Sequence, residues 1–378
     1  MYIEQSYWEK SSFFDFDFIV IGSGIVGLNA AIHLKKHNPK ASICILERGF
    51  LPAGASTKNA GFACFGSISE LIDQESICGA EGLSLLIEKR WKGLLKLRNL
   101  LGDETIGYQC LAGFELFKKS EENIASQSVA KIEHFNHLIK NIVGPNAFSL
   151  QNQKIKDFGF ENVENLIANQ YEAQIDTGKM MLALLQYAQA IGILVFNNCC
   201  VNKIEPENNG INLLTEEGIF KCKKLIVATN AFTSALLPDL DITPGRGQVL
   251  ITEPIKKLKI AGTFHYDRGY YYFRNINDRI LLGGGRNLDF NVETTTNFGQ
   301  TDLIQNALEK LLTEVILPNH NFKIDQRWSG IMAFGKQLEP IIKEVKPNIF
   351  CAARCNGMGI AMGSQTGEDI ATLLINSL

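Results

Sequence analysis

The spacing of apolar residues changes period several times along this chain. An apolar run from Phe16 to Ile21 predicts a strand, helical spacing over Val26 to Lys36 predicts a helix, and Ser42 to Leu46 predicts a second strand. Together these make a βαβ unit. Between Glu70 and Leu101 apolar residues recur at helical spacing, among them Leu83, Leu86, Ile87, Trp91, Leu94 and Leu95. Gly113 to Lys119 then alternates like a strand, and Glu121 to Ile142 reads as helix. A further helix opens at Asp176 or Thr177, both good caps, and carries its apolar stripe to Ala190.

Three strand-like runs follow, Ile193 to Glu205, Gly210 to Gly218 and Phe220 to Asn230, separated by turn residues. The stretch from Gly245 to Gly285 is strand-rich and aromatic, with a hairpin predicted around Asn277 and Asp278. Thr301 to Leu312 predicts a helix, Arg327 to Phe334 and Asn348 to Ala353 predict strands, and Thr366 to Leu374 a closing helix. No internal repeat appears, which argues against a solenoid.

Length and charge narrow the class. A chain of 378 residues exceeds the usual single-domain range, so two domains are expected. Hydrophobic residues at 46% and charged residues at 20% fit a folded globular protein. The formal net charge of −3 argues against a nucleic-acid surface, and the lysine clusters at Lys221, Lys223, Lys224 and at Lys256, Lys257, Lys259 read as solvated faces. The first eighteen residues lack a basic region followed by an apolar one, and the apolar stretch Phe18 to Leu34 is too short and interrupted for a membrane span. A cytoplasmic location is therefore expected. Nine cysteines without regular spacing, most in apolar surroundings, read as reduced core residues.

The opening unit carries chemistry. Gly22, Gly24 and Gly27 give GxGxxG directly after a strand: the first glycine allows the tight turn, the second a close approach of pyrophosphate, the third close helix packing. Ser23, Ile25 and Val26 complete the turn into the helix. Glu47 ends the second strand, where a carboxylate can accept both hydroxyls of an adenosine ribose. A tight turn that binds nothing is the alternative, and strand, helix, second strand and acid in register weigh against it. The unit does not distinguish NAD from FAD.

Other segments bear on that choice. "KKLIVATNAFTSALLP", "PNIFCAARCNGMGIAMGSQTGEDIATLL", "ERGFLPAGASTKNAG", "PGRGQV", "YYYFRNINDRILLGGG" and "RWSGIMAF" occur in the order found in flavoproteins of the D-amino acid oxidase superfamily, and the resemblance spans nearly the whole chain. Nearer members include glycine oxidase, sarcosine oxidase and gamma-glutamylputrescine oxidase. The resemblance implies an α/β protein with an FAD-binding Rossmann-like domain and an inserted antiparallel-sheet α+β substrate domain. Residues 1–75, 155–240 and 335–378 would build the discontinuous FAD domain, and 76–154 with 241–334 the substrate domain.

By the same resemblance, Ser56, Lys58, Asn59, Ala60 and Gly61 would pass beside the isoalloxazine ring, and Cys200 and Val201 would meet the adenine end near Glu47 and Arg48. Ala228, Thr229 and Asn230 end a further strand of the nucleotide fold. Asn356, Gly357, Met358, Gly359 and Ile360 form a glycine-rich turn into the last helix, whose N-terminus would stabilise negative charge on a reduced flavin. Non-covalent FAD is expected, because the stretch matching the covalent attachment point of some relatives holds Met332 and no cysteine, although Cys355 stands nearby.

For the substrate side, a strand over Gly269 to Arg274 would put Tyr270, Tyr272 and Arg274 on one face and Tyr271 and Phe273 on the other. That face would offer an aromatic wall with a cation; a half-buried strand with a solvent-facing arginine is the alternative. Lys58, where family members often have arginine, and Arg327, Trp328 and Lys336 are further candidates. The family frequently carries an aspartate shortly before the proline matching Pro340, where Gln337, Leu338 and Glu339 stand, so substrate specificity does not transfer. His134 and His137 share a helix face without further ligands, so no metal is expected, and His265 reads as structural before it reads as a base.

The expected activity is FAD-dependent oxidation of an amino acid or amine, with hydride leaving the carbon next to nitrogen and the imine hydrolysing. Oxygen or another acceptor would take the electrons. Oxidation of a 2-hydroxy acid or polyol phosphate stays open as an alternative, as does a flavin-bearing subunit or tRNA-related binding protein.

Overall fold

The computed structural model describes residues 6–377; the first five residues of the N-terminal stretch read for a secretion signal lie outside them. An exposed helix, α1 (Tyr7–Phe13), leads into β1 (Asp15–Ile21), α2 (Ile25–His37) and β2 (Ile43–Leu46). Then come β3 (Phe62–Ala63), α3 (Ile68–Leu101), β4 (Gly113–Lys118), α4 (Glu122–Ile139), β5 (Phe148–Leu150), α5 (Lys154–Phe158), β6 (Val163–Asn169) and β7 (Ala173–Gln174). They are followed by α6 (Thr177–Ala190), β8 (Leu194–Phe196), β9 (Lys203–Glu207), β10 (Gly210–Thr215), β11 (Gly218–Val227), β12 (Thr243–Thr252), β13 (Thr263–Tyr266), β14 (Tyr271–Ile276) and β15 (Arg279–Gly284). The chain closes through α7 (Phe290–Glu293), α8 (Asp302–Leu311), β16 (Ile324–Phe334), β17 (Ile341–Lys346), β18 (Ile349–Ala353) and α9 (Gly359–Ile375).

Two large sheets organise these elements. The first runs β17-β18-β11-β1-β2-β8, with β10 on β11 and β9 on β10. Its pairings from β18 to β8 are parallel, and β2 is buried along its whole length, as expected of a strand covered on both faces. Numbered along the chain, those five parallel strands lie in the order 3-2-1-4-5 of a doubly wound nucleotide fold. Their carboxyl ends therefore meet at one edge, where the crevice beside β1 opens.

The second sheet runs β16-β12-β15-β14-β13-β4-β6-β5, antiparallel except where β13 meets β4. The expected segment 155–240 begins ahead of β6, which pairs with β4 and β5 of this second sheet, so its first strand falls on the antiparallel side. A two-stranded ribbon of β3 and β7 lies apart from both. Among the described residues no helix is long and apolar enough to cross a membrane.

Several local departures from the sequence reading have clear causes. The closing helix begins at Gly359, seven residues before its expected start at Thr366, because its glycines are packing positions and not a loop. A Cβ on Gly363 would lie 2.7 Å from Ile25, and one on Gly367 2.6 Å from the Val26 carbonyl, so α9 rides directly on α2. The run from Ile193 to Glu205 divides into β8 and β9, which join different parts of the first sheet. Lys224 is buried and donates to the Ser377 carbonyl and hydroxyl, unlike its exposed neighbour Lys223, which pairs with Asp17. All nine cysteines are free; six are buried, and Cys78, Cys110 and Cys200 are exposed.

Candidate active site

The site starts at the carboxyl end of β1. Gly22 takes φ +101°, and a Cβ there would stand 2.8 Å from the Ala228 carbonyl, so the turn needs glycine for both shape and space. Gly24 caps α2 without any side-chain hydrogen bond; the Ser56 hydroxyl accepts from the Ile25 N–H at 3.0 Å instead. A Cβ on Gly27 would sit 2.0 Å from the Gly22 carbonyl, which fixes the helix against the turn. Val26 packs in the core beside it.

Glu47 is buried at the end of β2. Its Oε2 accepts from the Ser23 N–H at 3.0 Å and hydroxyl at 2.7 Å, and its Oε1 accepts from the Gly49 N–H at 2.9 Å. These donors orient the carboxylate, and a carboxylate's roughly four acceptor positions leave capacity for a diol. Cys199 donates its N–H to the Glu47 carbonyl, which brings the Cys200–Val201 segment alongside. Arg48 stacks 3.6 Å from the centroid of the Phe232 ring.

Two later chain segments return to the same edge. The Ala228 N–H donates to the Ile21 carbonyl, and the Thr229 and Thr233 hydroxyls lie 2.9 Å apart. The Asn230 side chain accepts from the Arg354 N–H, linking that turn to the end of β18. Beyond β18, Asn356 and Gly357 both take positive φ, and Asn356 donates to the carbonyls of Gln337 and Leu338. Met358 caps α9 with no side-chain hydrogen bond, and a Cβ on Gly359 would meet nothing within 4 Å. Because Gly363 meets Ile25 and Gly367 meets Val26 and Ala30, α2 and α9 run the same way. Two helix N-termini whose own N-cap residues make no side-chain hydrogen bond, Glu47 and the Ala228 turn thus share one edge, an arrangement suited to an extended dinucleotide with anionic centres.

Between this edge and the second sheet lies the loop from Ser56 to Gly61. Asn59 is its hub, donating to the carbonyls of Ala55 and Ser56 and accepting from the Gly61 N–H and the Thr177 hydroxyl. Ala60 packs with Val249 and Leu281 of the second sheet. The Lys58 carbonyl accepts from the Trp328 indole N–H at 3.0 Å, while its ammonium lies 5.3 Å from the centroid of the Phe298 ring.

The candidate substrate residues divide differently from the sequence expectation. Tyr272 and Arg274 do face the loop, and Tyr271 and Phe273 pack in a separate core. Tyr270 does not join Tyr272: β14 begins at Tyr271, and positive φ at Asp267, Arg268 and Gly269 makes a turn that breaks the alternation, leaving Tyr270 against Phe290. Arg274 is buried and donates to the carbonyls of Gly61 at 3.0 Å and Ile175 at 2.7 Å, so it anchors the loop and is not a free cation. Desolvation lowers its pKa to about 10. Arg327 lies with Lys58 and Trp328 along an open groove of about 460 Å³, yet its guanidinium is held by Gln305 and Glu309 of α8. Strand alternation explains this, since Trp328 and Arg327 leave opposite faces of β16. Lys336 is exposed in the turn after β16.

A residue not singled out in the sequence takes their place. Arg286 is half-buried, 3.9 Å from the centroid of Phe334 and 5.0 Å from that of Phe290; among the described residues no carboxylate pairs with it. Desolvation lowers its pKa. Gly245 and Gly247 on β12 leave room at this face: a Cβ on Gly245 would lie 3.0 Å from the Arg286 guanidinium, and one on Gly247 2.9 Å from Met332 and 3.6 Å from the Tyr272 hydroxyl. A Cβ on Gly357 would stand 4.0 Å from the Met332 sulfur, so the same face looks toward the turn before α9. The signal available in sequence was the "GGGR" at the end of the hairpin.

Comparison with known proteins bears on the family and the fold. The chain is 25% identical over 241 residues to the bifunctional protein ThiO/ThiG of Synechocystis sp., a match that takes in 62% of this chain and 32% of that protein. It thus spans about a third of that relative's length. It is 23% identical to glycine oxidase of Bacillus licheniformis, over 96% of this chain and 94% of that one. The crystal structure of glycine oxidase from Geobacillus kaustophilus superposes with a TM-score of 0.76 at 18% identity, covering 96% of this chain and 95% of that one, and shares the fold. The model of the DAO family, described as FAD dependent oxidoreductase, matches residues 17–373. With nearly every residue matched, the chain belongs to the DAO family of FAD-dependent oxidoreductases.

Proposed function

We propose that this chain binds FAD non-covalently and oxidises the carbon–nitrogen bond of an amino acid or amine. The observation that carries the substrate side is Arg286, a desolvated cation with two aromatic neighbours and, among the described residues, no carboxylate partner, beside a glycine-floored face. Such a cation suits a substrate carboxylate, because a bidentate guanidinium–carboxylate pair satisfies both partners out of water. The glycine oxidase relatives support an amino acid substrate.

The residues fit the cofactor. The N-terminus of α2 and the Gly22–Gly27 turn would hold the pyrophosphate, and Glu47 would take the ribose diol. Ser56 to Gly61, Ala228 to Asn230 and Asn356 to Ile360 would border the rest of the cofactor. When bound, FAD supplies the two-electron acceptor. Cys355 is buried, and desolvation raises its thiol pKa to about 11, so it makes a poor nucleophile toward the ring and supports non-covalent binding.

The chain's own work is positioning. The α9 N-terminus favours negative charge where its first N–H groups point. Tyr272 and Met332 wall the slot and keep water out, Lys58 adds a nearby cation, and Arg286 would fix the substrate so that its amine, in neutral form, faces the loop. No residue is assigned a proton transfer. By the same reading, residues 76–154 and 241–334 would form most of the substrate side.

Anaerobic addition of amino acids, amines and 2-hydroxy acids to the yellow protein tests the proposal. Bleaching of the flavin by an amino acid, with ammonia or an amine released, is expected. Bleaching by hydroxy acids alone would move the reaction to carbon–oxygen bonds, and bleaching that needs a second protein would make the chain a subunit. Acid precipitation should leave the pellet colourless.

A further inference from the structure

One strand beyond Tyr272 lies a second buried group that the flavin site does not use. Cys64 follows β3, Glu172 stands in the turn between β6 and β7, and His265 sits on β13; a sulfur, a carboxylate oxygen and a ring nitrogen come within 4.8 Å of one another. All three side chains are buried. We propose that Cys64, Glu172 and His265 form a binding site for a thiophilic divalent cation, with zinc as the occupant their chemistry selects.

Two features of the site support a metal beyond the mere grouping. Glu172 is 0% exposed, and its Oε2 has no hydrogen-bond partner, while Oε1 accepts from the Thr263 hydroxyl and the His265 Nε2, each at 2.7 Å. A fully buried carboxylate oxygen without a donor is costly, and a cation removes that cost. On the other side of the imidazole, Nδ1 lies 3.6 Å from the Glu70 carboxylate, beyond hydrogen-bond length, so a second acid adds negative charge beside the ring.

Charge and space agree. A thiolate and a carboxylate neutralise a divalent ion, and sulfur, imidazole nitrogen and carboxylate oxygen are the donors zinc takes tetrahedrally. A void of about 10 Å³, the least that holds one water, borders Glu172 and His265 but not Cys64, and a fourth ligand would have to enter from there. To ligate, Nε2 must release to solvent the proton it shares with Oε1, as Cys64 releases its thiol proton, so the Nε2–Oε1 hydrogen bond is given up and the orphaned Oε2 takes the ion. The ion would tie three distant segments together just behind Phe62, whose ring lies edge-on to His265 at 5.3 Å. No spacing motif announces the site, because its ligands come from three separate strands or turns.

The test uses the full chain with whatever flavin it carries, stripped with chelator and titrated with cobalt as a spectroscopic stand-in for zinc. About one cobalt per chain is expected, with a thiolate-to-metal charge-transfer band and d–d bands to the red of the flavin absorption, all displaced by zinc. Cys64→Ser should abolish the charge-transfer band. Cys78→Ser, at an exposed thiol, should leave the band intact. If Cys64→Ser does not fold, X-ray absorption of zinc-loaded wild type decides, with one sulfur required at about 2.3 Å. A shell without sulfur, less than about a tenth of an ion per chain, or a band that survives in Cys64→Ser overturns the site. Because the readout is the metal's own spectrum, it stands or falls separately from substrate oxidation.

Discussion

Gly367→Ala would test how the two helix N-termini are held at the nucleotide edge. The added Cβ would lie 2.6 Å from the Val26 carbonyl and 2.8 Å from both the Ala30 nitrogen and the Asn29 Cβ, against the 3.4 Å at which ordinary contact begins. Two of these atoms are backbone of α2 and cannot rotate away, so the helices must part by roughly 0.8 Å, the shortfall at the carbonyl. Overpacking of this size costs about 1–3 kcal/mol. The displacement also moves the Gly24–Gly27 turn relative to the α9 N-terminus, so flavin affinity should fall by a comparable free energy, about 5- to 150-fold. Gly54→Ala is the control, since its Cβ would meet nothing within 4 Å, and it should be neutral or slightly stabilising. Flavin-fluorescence titration and urea unfolding of both variants provide the measurement. Wild-type flavin affinity and unchanged unfolding in Gly367→Ala would refute the idea that direct helix contact sets this edge.

Arg286→Gln should raise KM for a carboxylate-bearing substrate by about two orders of magnitude, as a lost charged pair costs about 2–5 kcal/mol, with a much smaller effect on the corresponding amine without a carboxylate; equal losses on both would remove Arg286 from substrate binding. Arg274→Gln should destabilise the chain by about 2–4 kcal/mol and loosen flavin retention, because the carbonyls of Gly61 and Ile175 lose a charged donor; unfolding and flavin-release measurements that match wild type would contradict its anchoring role. In metal-free protein at mildly alkaline pH, a thiol reagent should titrate the three exposed cysteines, Cys78, Cys110 and Cys200, quickly and the six buried ones after denaturation. Burial that raises the Cys351 thiol pKa to about 12 and the Cys355 thiol pKa to about 11 is the cause, and fast reaction of more than three thiols would contradict the packing.

Much of the nucleotide edge was legible because its signals are local. A strand, three glycines at fixed spacing, a helix and an acid at the end of the next strand are consecutive, and each has one steric or electrostatic reason to be there. The hairpin at Asn277 and Asp278 was legible for the same reason. The start of α9 was not, since glycines that permit close helix packing look, in sequence, like glycines that permit a turn. Tyr270 was misplaced because alternation was extended one residue past a turn made by Asp267, Arg268 and Gly269.

By itself the sequence determined the doubly wound unit at the N-terminus, the return of two strand-to-turn segments to it, and a family resemblance running through nearly the whole chain. Only the tertiary structure decided which of the candidate arginines are taken up elsewhere. Arg274 and Arg327 are taken up by backbone carbonyls and by α8, while Arg286 is left facing the slot, and Cys64, Glu172 and His265 are drawn together from three separate segments. The physical reason is that a local pattern fixes which way a side chain leaves its own strand or helix, whereas its partner is set by whatever distant segment packs on that face.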